Sequence, residues 1–208
     1  MVKPYGVLVF ILVMTLAQEV MGEVVPEQEW NDEAKIWLAR SLVGEAGWRR
    51  PVEYAAIAWV YVHRSRLSKS RNFLQTVRRY SAAVKNRRNK QRPWLYQLGL
   101  DGARPSDWPN GPQWAGLHKE AWLDTLEFVD EWQAGKHPNP CPRANHFGGY
   151  IDQHRAEALR WTRVKCKTEA DGSRLRNRFY DSTRLRPKGW YERRRAWREK
   201  VRLEKAKR

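Results

Sequence analysis

At 208 residues the chain suits one domain with appendages and has enough mass for a hydrophobic core. Its two cysteines are too few to build a structural zinc site alone. The net charge of +17 marks attraction to polyanions (nucleic acid, anionic lipid headgroups or anionic wall polymers) and by itself specifies no chemistry. That charge is unevenly placed: residues 64–92 hold 11 Lys/Arg and no acid, and residues 184–208 hold 12 against three Glu, which leaves the rest near neutral at −3.

After Lys3, residues 7–17 form an apolar run too short to span a bilayer but fitted to the middle of a secretory signal. Val20 and Gly22 are small enough for cleavage after Gly22, so residues 1–22 read as a signal peptide. The mature protein is then exported, periplasmic or extracellular, with an uncleaved anchor as the alternative. Residues 23–31 are a polar lead-in with Pro26. Asn31 or Asp32 can cap a helix running to about residue 43, with Trp37, Leu38 and Leu42 on its buried face. Gly44 and Gly47 bracket Glu45, and Pro51 suits the first turn of a second helix over 52–67, striped by Val52, Ala55, Ala56, Trp59 and Val62. Small residues let the two helices approach closely, so Glu45 is expected in a tight corner between them.

Leu38, Ser41 and Leu42 share a helical face with Glu45. A carboxyl at the edge of such a face is partly desolvated and can hold a proton near neutral pH, as a general acid acting on a glycosidic bond must. The plainer reading is a helix-end glutamate beside a glycine turn.

Further along, residues 72–83 read as a weaker helix, 85–92 as a basic loop, and 93–113 as an irregular connection containing Trp94, Tyr96 and Trp108. Residues 113–134 carry the clearest helical pattern, with Trp114, Leu117, Ala121, Phe128 and Trp132 recurring. Gly135 falls where a left-handed cap belongs, with Pro138 beyond. Residues 141–152 read as a polar loop. Residues 161–167 and 177–180, separated by Ala170-Asp171-Gly172-Ser173, suggest a small hairpin. From residue 187 the chain is an Arg/Lys-rich helix or a disordered tail. Cys141 and Cys166 are expected to pair in an oxidising compartment, closing a loop whose constraint is worth roughly 3 kcal/mol.

The run LARSLVGEAGWRRPVEYAAIAWVYVHR resembles the opening motif of bacterial cell-wall hydrolases of the spore-cortex-lytic type, a family similar in fold to lysozyme-like lytic transglycosylases. There a Gly-Glu-Ala turn precedes an Ala/Val-rich helix ending in Asn-Arg. On that resemblance Glu45 matches the catalytic acid, Gly44 and Ala46 flank it, and Arg64 matches the helix end, while His63 stands where the family usually has Asn. A looser likeness, Ala144-Asn145-His146-Phe147, falls where the family has an Ala-Thr-aromatic segment lining its cleft. Together the two cover under a third of the mature chain.

The resemblance implies cleavage of peptidoglycan glycan strands by one carboxyl group, with no cofactor and no metal. Asp152 is the best candidate for a second acid, against the simpler role of capping the turn that follows. Asn145 and His146 suit sugar hydroxyls or an N-acetyl carbonyl, or equally serve to pin their loop. Trp48, Tyr96 and Trp108, in or beside loops, are candidates for stacking on sugar rings, with Phe147 and His63 at the same groove. Trp37, Trp59, Trp114 and Trp132 lie on apolar stripes and read as core. A rival metal site would use His146 and His154 with Cys141 or Asp152, at a spacing that matches no zinc pattern. A second rival is a non-catalytic basic module binding wall polyanion or nucleic acid. The expected architecture is mainly α (α+β): a monomeric, lysozyme-like helical domain over 23–183 with a small C-terminal β-hairpin, followed by a basic tail over 184–208. The basic segments would hold it against an anionic wall polymer or membrane surface.

Overall fold

The computed structural model describes residues 24–68, 71–85, 95, 98–100, 118–182 and 190–206. The expected signal segment, the expected basic loop after residue 85, most of the 93–113 connection with Tyr96 and Trp108, and the start of the 113–134 pattern with Trp114 and Leu117 lie outside the described residues.

Helix α1, Asp32–Ala46, starts on Asn31, whose side-chain oxygen accepts the Ala34 N–H at 2.9 Å. It runs past the expected end at residue 43, so Glu45 sits inside its last turn instead of opening one. Gly47 ends it with φ 86° and ψ −168°, a backbone conformation open essentially to glycine alone. Helix α2, Pro51–Leu67, begins on Pro51 as the sequence suggests. Its expected apolar stripe is too narrow a description: every residue from Glu53 to Ala58 is buried, as are Val60, Tyr61 and Val62. Val52 and Trp59 are only half-buried. A helix covered on nearly all sides is a central element, and α2 packs against α1 and the strand His146–Gly148.

The weaker helix splits at Ser81 into α3, Phe73–Tyr80, and the short α4, Ala82–Lys85. Asn72 and Gln75 form a reciprocal capping box at the start of α3, and the Glu29 carboxylate takes the Phe73 N–H at 2.7 Å. The lead-in is therefore not merely polar. Val24 and Val25 are buried, and Val25 exchanges two hydrogen bonds with the Gln133 side chain, at 3.0 and 2.8 Å. Helix α5, Lys119–Gln133, ends ahead of Gly135 at φ 79°, the expected left-handed position. Helix α1 packs against α2, α3, α4 and α5. Trp132, fully buried, stacks on Phe73 at 5.9 Å and meets Trp59 and Trp30.

The two segments expected to pair do so antiparallel as β2 and β3, not as a lone hairpin but within a three-stranded sheet of order β1-β3-β2. Its strands are β1 (His146–Gly148), β2 (Thr162–Arg163) and β3 (Arg178–Asp181). Between β1 and β2 lies helix α6, Tyr150–Ala158. β1 and the first three residues of α6 occupy the 141–152 stretch expected to be a loop; pairing with β3, and not local periodicity, sets the strand. Cys141 and Cys166 form the expected disulfide. The tail contains helix α7, Trp190–Ala206, which docks on α6, with the Arg155 guanidinium lying between the rings of Trp161 and Trp197. Among the described residues no helix is long and apolar enough to cross a membrane.

Burial of tyrosines is expected to make the fold sensitive to alkali. Burial pushes the Tyr54 hydroxyl up from 10.0 to about 12, and burial pushes Tyr61 up as well. Both groups ionise more readily unfolded than folded, so their contribution is intact below pH 10 and lost as pH rises toward 12 and beyond. Urea denaturation is expected to show a falling midpoint across that window, coincident with tyrosinate absorbance. Tyr54→Phe should flatten the dependence.

Candidate active site

The end of α1, the middle of α2 and the break between α3 and α4 meet around Glu45. The carboxyl is half-buried and accepts the Ser81 Oγ–H at 3.1 Å. Ser81 is itself fully buried, its N–H closing α3 on the Val77 carbonyl. One turn before Glu45, buried Ser41 shares a 2.6 Å hydrogen bond with the fully buried Tyr61 hydroxyl. Burial raises the proton affinity of Tyr61, and the negative charge of Glu45 adds to this, while bonds from Ser41 and Ser81 oppose it. The half-buried Glu45 carboxyl thus takes the Ser81 hydroxyl and lies close enough to the Tyr61 hydroxyl to act on it electrostatically, and Leu38 and Leu42, on the same helical face, are fully buried as expected.

A second network closes the corner from the far end of the chain. Glu53, fully buried on the first turn of α2, accepts the backbone N–H groups of Arg176 (3.1 Å) and Asn177 (2.8 Å) and the Asn177 side-chain N–H (2.8 Å). The other Asn177 side-chain contact is a donation to the Glu45 backbone carbonyl at 3.1 Å. Arg50 Nε lies 3.0 Å from Glu53, a charge contact whose angle falls short of a hydrogen bond. Glu169 takes the N–H groups of Val52 and Glu53 at 3.3 and 3.2 Å, supplying the cap that Arg50 does not provide. The chain from Glu169 to Asn177 is thus strapped across the start of α2 and the end of α1. A lone acid within the Ala/Val-rich stretch of α2 was the one sequence signal for this. Its partners, more than a hundred residues away, carry none.

The two sequence likenesses meet in space. Arg64 donates to the Asn145 carbonyl at 2.9 Å and lies 3.4 Å from the Tyr80 ring centre, and burial pulls its guanidinium below the usual arginine range. His63 donates from Nδ1 to the Ala144 carbonyl at 2.7 Å, so the residue standing in place of Asn fastens the loop before β1. Phe147 packs edge-on against Tyr61 at 5.7 Å. Asn145 is buried: its Nδ2 donates to Asp181 at 3.1 Å, and its Oδ1 accepts from Ser182 N–H, from Ser182 Oγ–H and from His146 Nδ1 at 2.6 Å. Asn145 pins the loop to the end of β3. The His146 ring sits 4.0 Å from Trp161, an aromatic partner that the sequence reading did not single out. Trp48 packs beside His118 at 5.5 Å, just past the end of α1. Asp152 falls within α6, not ahead of a turn that it would cap, and its side chain is outside the described residues. Ser81, Tyr61 and Asn177 are the site neighbours that sequence alone did not identify.

His63→Ala would leave the buried Ala144 carbonyl without its donor and is expected to cost about 1–3 kcal/mol in urea denaturation. His63→Asn, which retains an N–H donor, should recover part of the loss.

Compared with protein-family models, curated proteins and solved structures, the chain finds no match. Among the described residues no group of three or more His, Cys, Asp or Glu side chains stands close enough to hold a metal ion, and Cys141 is taken up by the disulfide. The chemistry on offer is that of one half-buried carboxyl held by a buried serine hydroxyl, a group able to give up and take back a proton.

Proposed function

We propose that the protein is an exported, lysozyme-like enzyme that cleaves the glycan strand of peptidoglycan, using Glu45 as its single general acid and base and no cofactor. One observation carries the reading. The Ala144–Phe147 segment, singled out like the Glu45 turn by its likeness to cell-wall hydrolases, is fastened to α2 by Tyr61, His63 and Arg64, and Tyr61 also bonds Ser41, one turn before Glu45. Glu45 gives its proton to the bridging oxygen as the glycosidic bond breaks. The resulting carboxylate then takes a proton either from a hydroxyl of the same sugar, leaving an anhydro ring, or from water, leaving a reducing end. A single carboxyl serves both steps. The disulfide fits an oxidising compartment.

Mass spectrometry of peptidoglycan incubated with the protein tests this. Anhydro-ended or reducing-ended muropeptides are the expected products and distinguish the two routes. An unchanged digest would overturn the proposal. A second reading, a non-catalytic basic module, is favoured by α7, where Arg195, Arg198, Lys200 and Arg202 are exposed. It expects salt-sensitive binding of wall polyanion or nucleic acid without any cleavage.

A further inference from the structure

A cavity of about 420 Å³ lies along β2, lined among others by Arg143, Thr162, Arg163, Lys165 and Asp181. Glu45 and its neighbours are not among its lining residues, so it is separate from the candidate active site. β2 is an edge strand, and both of its residues are exposed. In its antiparallel register with β3, Thr162 faces Asp181 and Arg163 faces Tyr180. The Val164 N–H bonds the Phe179 carbonyl at 2.9 Å, which makes the 164–179 and 162–181 pairs the bonded ones and 163–180 the unbonded one. The backbone N–H and C=O of Arg163 therefore point away from β3, along the open edge, where a further strand would pair.

Three cations converge on this edge. Arg143, Arg163 and Lys165 are exposed, and none makes an ion pair among the described residues. The Cys141–Cys166 disulfide, with Cα atoms 4.5 Å apart, fastens the segment bearing Arg143 to the segment bearing Lys165. Arg143 holds a left-handed backbone, φ 79°, that costs a non-glycine residue about 1–2 kcal/mol. Nothing in the core requires an arginine there.

We propose that this edge binds an extended acidic peptide, which adds as a strand beside Arg163 and places its carboxylates against Arg143, Arg163 and Lys165. One feature favours a peptide over a phosphate polymer: the outward N–H and C=O of Arg163 can both be paired by another peptide backbone, whereas a phosphate chain has no N–H to offer the carbonyl. The proposal goes beyond glycan cleavage and stands without it.

The test uses the full oxidised chain and a fluorescein-labelled hexapeptide of alternating alanine and glutamate, followed by fluorescence anisotropy and amide hydrogen exchange. Saturable binding is expected, with slowed exchange at the Arg163 amide. Arg163→Ala with Lys165→Ala should weaken it by about tenfold or more. Arg198→Ala with Arg202→Ala on α7 should leave it unchanged, and so should Glu45→Gln, which separates this result from the fate of the glycan-cleaving reading. Arg143→Gly relieves the left-handed backbone, so it should weaken binding while the thermal midpoint holds or rises. Equal binding of the alanine–glutamine hexapeptide would overturn the proposal, as would loss of binding through the α7 pair instead of the β2 pair. Tighter binding of inorganic polyphosphate without protection of the Arg163 amide would assign the cavity to a phosphate polymer and reject the peptide.

Discussion

Glu45→Gln is expected to abolish peptidoglycan cleavage, lowering the rate by about 10³-fold or more, while the protein remains folded. The substitution keeps the shape of the side chain and an oxygen able to accept the Ser81 Oγ–H, but it removes the transferable proton. Because the proposed reaction uses the same group as acid and then base, both steps should fail together. Ser81→Ala is the informative companion: it removes one hydrogen bond to the carboxyl and should slow turnover far less than loss of the proton itself. Muropeptide release measured against thermal unfolding separates chemistry from stability. Wild-type rates from Glu45→Gln would sink the hydrolase proposal, and cleavage that instead vanishes with a chelator would point to metal chemistry.

Glu53→Ala carries the largest expected cost in stability, about 3–5 kcal/mol. The wild-type carboxylate is wholly buried and is satisfied by three N–H donors as well as by the charge of Arg50. Truncation leaves Arg50 facing Glu169 alone and strands the N–H groups of Arg176 and Asn177. Glu53→Gln should cost less, since it keeps an acceptor and gives up only the charge. Chemical denaturation provides the readout, and a loss below about 1 kcal/mol for the alanine variant would refute the account of this network. Where the variant remains folded, cleavage should also fall, because Asn177 would no longer be held against the Glu45 carbonyl.

Local signals were legible where the physics is local. Asn31 as cap, Pro51 at a helix start, Gly135 in the left-handed region and the Cys141–Cys166 pair were all readable from residue type and spacing. So was the burial of Leu38 and Leu42, whereas Trp37, read on the same buried face, is only half-buried. Short elements defined by distant pairing were not. β1 is only three residues long and exists because β3 lies beside it, so Asn145-His146 reads as a polar loop until that partner is placed. Likewise nothing near Glu53 announces Asn177, and Ser81 looks like a helix residue until its N–H is seen closing one helix before the next begins. Polar contacts across long sequence separations leave no periodic trace, and they make up most of the site.

The strap from Glu169 to Asn177 has a consequence for how the molecule is made. A polypeptide leaving the ribosome amino-end first presents Glu45 and Glu53 long before the residues that hold them. Until Arg176 and Asn177 emerge, the Glu53 carboxylate lacks its three N–H donors. Maturation of the corner is thus deferred until residues 176 and 177 have been made, and a fragment ending ahead of them would be an incomplete fold.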